Sequence, residues 1–158
     1  MNYIGSKLSL LEFLEKSIEK VVDKNSRVFC DLFAGTGAVG TYFKRKGYKV
    51  IANDIQYYSF VLNKQYIENH QHLKFTNLTK ILPELNNIEI AERKNFVCDY
   101  LSNIKGEKGF IYKNYCSGGT KNQEFERQYF SDENGMRCDA IRIKIEEWKN
   151  EKLITDNE

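Results

Sequence analysis

The sequence predicts an α/β domain, the opening of a doubly wound sheet followed by a mixed, more helical region. Two short apolar runs carry most of that prediction. "RVFCDLF" ends in a glycine-rich turn, "AGTGAVG", and "YKVIA" ends in Asn53-Asp54. Amphipathic segments follow each run, so the order reads strand, glycine turn, helix, strand, acid, helix.

The elements follow in order. Residues 8–22 place Leu10, Leu11, Leu14, Ile18, Val21 and Val22 at helical spacing. Ser6 is placed to cap that helix and Lys24-Asn25 to end it. Residues 27–33 read as a buried strand, and residues 38–46 as a short helix closed by Gly47. Residues 48–52 form a second strand. Residues 56–69 form a helix with Tyr58, Val61, Leu62 and Ile67 inward. Beyond Thr76 the pattern weakens. Residues 78–90 read as a helix interrupted by Pro83. Residues 95–103 and 109–115 carry short apolar runs of either type. Residues 138–152 form a helix with Ile141, Ile145 and Trp148 on one side and Asp139 near its start. The last residues, "EKLITDNE", read as a polar tail. There is no repeat and no low-complexity linker. The chain divides into a binding half, residues 1–75, and a second region, residues 76–158.

Composition narrows the class. Hydrophobic residues are 41% and charged residues 29% of 158, ordinary for a globular domain. A net charge of +2 gives no global field that would itself point to nucleic acid. No run approaches the roughly 18 apolar residues of a membrane span. No signal-peptide pattern opens the chain. Cys30, Cys98, Cys116 and Cys138 lie far apart, which fits reduced thiols and a cytoplasmic setting. His70 and His72 are the only histidines and no further ligands cluster near them, so no metal site is expected.

The glycine turn carries the chemistry. A strand that ends in glycines and feeds a helix presents bare backbone N–H groups to a ligand. Gly35, Gly37 and Gly40 match the dinucleotide fingerprint, so a nicotinamide ligand is one reading. Asp31, four residues ahead of Gly35, argues against a pyrophosphate and for a cationic ligand. Asp54, at the end of the next strand, is placed to accept both hydroxyls of a ribose. A nucleoside with a positive, phosphate-free tail fits the pair, and S-adenosylmethionine is such a molecule. A tight structural turn flanked by solvated acids remains the alternative.

The start of the chain, "NYIGSK", adds a third motif. Together with "DLFAGTGAVG" and "VIANDI" it resembles the Dam-like α-group of N6-adenine DNA methyltransferases, and the resemblance extends over nearly the whole chain. That family shows Tyr-x-Gly-(Ser/Gly)-Lys, then Asp-x-Phe-x-Gly-x-Gly, then an Asn-Asp or Ala-Asp pair. The stretch from "GFIYKNYCSGG" to "DAIRIKIEEW" is similar to one restriction–modification branch of it. The resemblance implies an S-adenosylmethionine-dependent, Rossmann-like methyltransferase fold and a set of cofactor contacts. Tyr3 would line the pocket, and Lys7 would pair with the cofactor carboxylate. Asp31 would lie at its sulfonium and amino end, with Phe33, Ala34, Gly35 and Gly37 as its wall. Asp54 would take the ribose.

The family's catalytic motif, Asp-Pro-Pro-Tyr, needs two adjacent prolines, and Pro83 is the only proline in the sequence. Lys113-Asn-Tyr-Cys116 is the nearest polar–aromatic stretch and reads as scaffold. No catalytic residue is therefore assigned, and the fold is expected to be incomplete. The expectation is an N-terminal fragment or subunit of a site-specific adenine methyltransferase. It would be inactive alone and either dependent on a second polypeptide for the missing motif or a truncated relic of a frameshifted gene. The alternative is a non-catalytic cofactor-binding or regulatory protein. Double-stranded DNA is the implied partner. Lys105, Lys108, Lys113, Lys121, Arg127, Arg137, Arg142 and Lys144 could face phosphates. Phe110, Tyr112, Tyr115, Tyr129 and Phe130 could stack on bases, unless they are the core beneath a solvated basic face.

Overall fold

The computed structural model describes residues 7–158. The chain divides between Gln71 and His72 into two compact units.

In the first unit a 3₁₀ turn, Leu8–Leu10, leads into α1, Leu11–Glu19. This helix stops short of the residue 22 that spacing predicts. The Ile18 carbonyl accepts the N–H groups of Lys20, Val21 and Val22, so the chain tightens there, and Val21 is left 82% exposed. Strands β1, Val28–Asp31, and β2, Lys49–Ala52, pair in parallel, from Val28 opposite Lys49 to Asp31 opposite Ala52. A parallel pair needs a crossover, and α2, Ala38–Arg45, supplies it. Val39 and Phe43 are buried, and the Phe43 ring stacks on Phe29 with centroids 4.1 Å apart.

Helix α1 is tied to α2 by polar contacts. The Glu15 carboxylate pairs with Lys46 and accepts the Tyr42 hydroxyl. Those two bonds, Lys46 first, hold the Glu15 acid below its ordinary range. The same cluster raises both the Lys46 ammonium and the Tyr42 phenol.

Helix α3, Tyr57–Asn63, continues into a π turn, Lys64–Glu68. The face expected inward is only partly so. Ile67 is buried, but Tyr58 and Val61 are exposed, and the fully buried residue of α3 is Ser59. The helix turns its polar Ser59–Asn63 edge inward because both side chains satisfy a backbone carbonyl, that of Gly35. Among the described residues the sheet has two strands, so the architecture shown is mixed α/β with a small parallel sheet.

The second unit is helical. Pro83 does break the 78–90 segment, leaving two 3₁₀ turns, Leu78–Lys80 and Pro83–Asn87, with proline at the first position of the latter. The ambiguous runs are helices: α4, Ile90–Asn103, and α5, Phe110–Tyr115, followed by the single turn α6, Ser117–Thr120. Helix α7, Asp132–Asn150, starts earlier than the apolar spacing shows because Ser131 caps it, accepting the Asn134 N–H at 3.2 Å. Asp139 thus lies well inside the helix. It is 1% exposed, and its two oxygens accept the N–H groups of Ile111 and Tyr112 at 2.9 and 2.8 Å, at the start of α5.

The core of this unit gathers Phe75, Leu78, Leu82, Leu85, Val97, Leu101, Trp148 and Leu153. The polar tail is a mistaken expectation. Leu153 is buried with Trp148, and the Glu158 carboxylate accepts the Phe75 N–H. Cys116 is fully buried against Gly135, where a Cβ would collide with its sulfur. No described helix is long and apolar enough to cross a membrane.

Candidate functional site

The glycine turn is built from both strands. Beyond the pairing, Asn53 N–H donates to the Asp31 carbonyl at 2.8 Å and Ala34 N–H to the Asn53 carbonyl at 2.9 Å. This ladder carries residues 31–34 alongside Asn53-Asp54. The chain then reverses through Gly35 and Gly37, at φ of +53° and +77°, where a side chain would be strained. At Gly37 a Cβ would also lie 2.7 Å from Asn63 Oδ1. Gly37 N–H closes the turn on the Ala34 carbonyl at 2.8 Å, and α2 begins at the next residue.

Two carboxylates flank this turn in different states. Asp54 is engaged: Oδ2 accepts the Gly35 N–H at 2.8 Å and Oδ1 the Gln56 N–H at 2.9 Å. The backbone bonds from Gln56 and Gly35 hold its acid below the usual carboxylate range. The Ile55 backbone and the Ser59 hydroxyl add to that lowering. Asp31 is 9% exposed and only half engaged. Its Oδ1 accepts the Phe33 N–H at 3.2 Å and lies 3.8 Å from Lys7 Nζ. Its Oδ2 is buried and has no hydrogen-bond partner among the described residues. A buried acceptor without a donor is costly, so this oxygen suits a cationic or N–H-bearing ligand group. Lys7 donates to the Phe33 carbonyl at 2.9 Å, which brings the N-terminal lysine to the same turn.

Lys7, Asp31, Phe33, Ala34, Gly35, Gly37 and Asp54 therefore gather about one turn. Tyr3 lies outside the described residues. Phe33 points its ring outward, 78% exposed, while Ala34 is buried. Lys7, Phe33 and Gly35 line a hollow of about 40 Å³. Asp54, with Ser59 and Asn63, lines a cleft of about 870 Å³ beside β2. The Gly35–Asp54 bond links the two linings.

Ser59 and Asn63 are the residues that sequence reasoning passed over. The one available signal was two polar side chains four apart in an otherwise apolar helical run, "YYSFVLN". In the second unit, Lys113–Cys116 forms the end of α5 and the fully buried Cys116. Tyr112 is 9% exposed and belongs to the interior, which removes it from the base-stacking set. Phe110, Tyr129 and Phe130 are exposed. No group of three metal-ligating side chains occurs among the described residues.

The chain is similar to several known proteins. The chain is 46% identical to the type II methyltransferase M.NlaIII of Neisseria lactamica, over 99% of the chain and 41% of that protein. It is 39% identical to the type II methyltransferase M.FokI of Planomicrobium okeanokoites, over its whole length and 22% of that protein. A modification methylase, LlaI, of Lactococcus lactis is 35% identical over 23% of its length. The chain thus spans between a fifth and two fifths of these relatives. No solved structure gives a significant match. The family model for D12 class N6 adenine-specific DNA methyltransferases matches residues 3–154. The chain belongs to the D12 class of N6 adenine-specific DNA methyltransferases.

Proposed function

We propose that this chain is the cofactor-holding part of a site-specific adenine DNA methyltransferase of a restriction–modification system. The complete enzyme would move a methyl group from S-adenosylmethionine to adenine N6 in double-stranded DNA, in the cytoplasm. Membership of the family supports the reaction. One observation supports the cofactor above the rest: the buried, unpartnered Asp31 Oδ2 sits on the same glycine turn as Lys7 and Asp54.

S-adenosylmethionine would supply the methyl group on its sulfonium. Asp31 would face its cationic amino end, and Lys7 would swing from the Phe33 carbonyl to its carboxylate. The Asp54 carboxylate would accept the ribose hydroxyls. Phe33, Ala34, Gly35 and Gly37 would form the wall, with Tyr3 over it. Strand β1, α2 and β2 form one parallel crossover unit, which we assign to the first half of a Rossmann-like sheet. Residues 1–75 would be the cofactor half and residues 76–158 the approach to DNA recognition.

The Asp-Pro-Pro-Tyr loop does not occur in these 158 residues, whose one proline is Pro83. Transfer would need that loop from outside them, on a longer chain or a second polypeptide. The lone proline also favours a second reading, a cofactor-binding or regulatory protein without transferase activity. The test is radiolabelled S-adenosylmethionine with unmethylated DNA. The chain alone should bind cofactor and transfer nothing, and adding a family polypeptide that bears Asp-Pro-Pro-Tyr should restore transfer. Robust transfer by the chain alone overturns the assignment of residues, and binding with no restoration favours the second reading.

A further inference from the structure

We propose that Ser59 and Asn63, held by the π turn that ends α3, are positioning residues for the glycine turn and set its affinity for the methyl donor. The inference rests on the cofactor reading above. It concerns residues that act on the proposed ligand through the Gly35 backbone.

Gly35 is gripped on both sides of its left-handed conformation. Its N–H donates to Asp54. Its carbonyl accepts the Ser59 hydroxyl and the Asn63 amide, the latter at 3.2 Å. Asn63 is itself aimed by its amide bonds to the Ser59 carbonyl at 2.7 Å and the Ser59 hydroxyl at 3.1 Å. Its other amide atom, Oδ1, is buried, has no hydrogen-bond partner among the described residues and faces Gly37. The side chain has accepted an unsatisfied oxygen in order to direct its donor at Gly35.

The π turn explains how the helix keeps this aim. Residues four apart on an α-helix drift slowly around its axis, so Ser59, Asn63 and Ile67 would progressively leave one face. A π turn holds more residues than an α turn and rotates less per residue, which brings Ile67 back into line. Ile67 is buried and packs where Gly40 of α2 leaves no room for a Cβ. Lys44, also on α2, donates to the carbonyls of Tyr66, Ile67 and Asn69 at 3.2, 2.7 and 2.8 Å. These bonds satisfy carbonyls where the π turn ends. Helix α2 thus holds the π turn, the π turn fixes Asn63, and Asn63 fixes the glycine turn from which α2 starts. A ligand that needs the bare backbone of Gly35 and Gly37 in one geometry would bind a turn already in place.

The test compares the whole 158-residue chain with Asn63→Ala, Asn63→Asp and Ser59→Ala. S-adenosylhomocysteine binding is read by calorimetry and amide hydrogen exchange by NMR. Loss of the amide donor should weaken binding about tenfold. Asn63→Asp should weaken it at least as much, because it sets an acceptor against the Gly35 carbonyl. Ser59→Ala removes the other donor to the Gly35 carbonyl and should also weaken binding, by about three- to tenfold. In the ligand-free Asn63→Ala chain the Gly35 and Gly37 amides should exchange faster, while the Lys49 and Asn53 amides between the strands should not. Unchanged affinity in both Asn63 variants, or unchanged exchange at the turn, overturns the proposal. If the parent chain binds no S-adenosylhomocysteine, the cofactor reading fails. Exchange at Gly35 and Gly37 then still decides whether Asn63 holds the turn.

Discussion

The two units keep their shapes by different means. The second closes around an apolar cluster in which Leu78 and Leu85 are fully buried and Trp148 nearly so. The first buries few large side chains, chiefly Phe43 and Ile67, and leaves Leu8, Phe13, Ile51, Ile55 and Tyr57 exposed. Its glycine turn is instead fixed by hydrogen bonds between side chains and backbone: Lys7, Ser59 and Asn63 donate to the carbonyls of Phe33 and Gly35, and Asp54 accepts the N–H groups of Gly35 and Gln56. Apolar burial is non-directional, so it tolerates small shifts. Hydrogen bonds fix angles as well as distances. A surface that must present backbone groups to a small ligand gains from the second kind of restraint. Its weakness is that single polar atoms carry the geometry.

The largest effect should come from the apolar unit. Trp148→Ala should destabilise the second unit by about 3–5 kcal/mol, read by urea unfolding followed through its own amide signals. Equal loss of protection in both units would show that the two fold as one. Asp139→Ala should come next. It strands the half-buried Ile111 N–H and the buried Tyr112 N–H, at a cost on the order of 2–3 kcal/mol, and α5 should lose protection before α4 does.

In the first unit the expected loss is one of binding more than of folding. Asp54→Ala should lower affinity for S-adenosylhomocysteine by on the order of 1–3 kcal/mol, measured by calorimetry. An unchanged affinity removes Asp54 from the site. The smallest effect is one of pH. The Asp54 and Glu15 acids are held below their ordinary range. Their stabilisation is therefore present above the ordinary carboxylate range and is lost as pH falls through the lowered values. Thermal scans from neutral pH down to about pH 3 should show the first unit weakening at the acid end. Asp54→Asn should flatten that limb without altering the acid limb of the second unit.

Sequence reasoning located the turn because its requirements are local. Left-handed backbone at Gly35 and Gly37, and an acid after each strand, leave marks at fixed spacing. Helix α2 and strands β1 and β2 were legible for the same reason. The inward face of α3 was misjudged because apolar periodicity assumes that apolar residues turn inward. Here the carbonyl of Gly35, far away in sequence, draws Ser59 and Asn63 in and leaves Tyr58 and Val61 out. The final segment was misjudged in a similar way. Leu153 is a single apolar residue among polar ones, and only the shape of the cluster around Trp148 reveals its place. The start of α7 was hidden because a cap, Ser131, carries no hydrophobic signal. Asp139 looked like a residue near a helix start, yet it serves the start of another helix, α5.

The packing of Cys116 against Gly135 makes the chain report on its own breathing. Burial is the largest cause raising that thiol, with Asp132 and Asp139 adding to it, so the sulfur is both screened from reagents and poor in thiolate. Cys30 and Cys98 are exposed, one in each unit. An alkylating reagent should therefore modify those two promptly, the half-buried Cys138 more slowly, and Cys116 last, only when the contact between α5 and α7 parts. The slowest phase of labelling would time that opening directly, without a dye, a probe or a substitution.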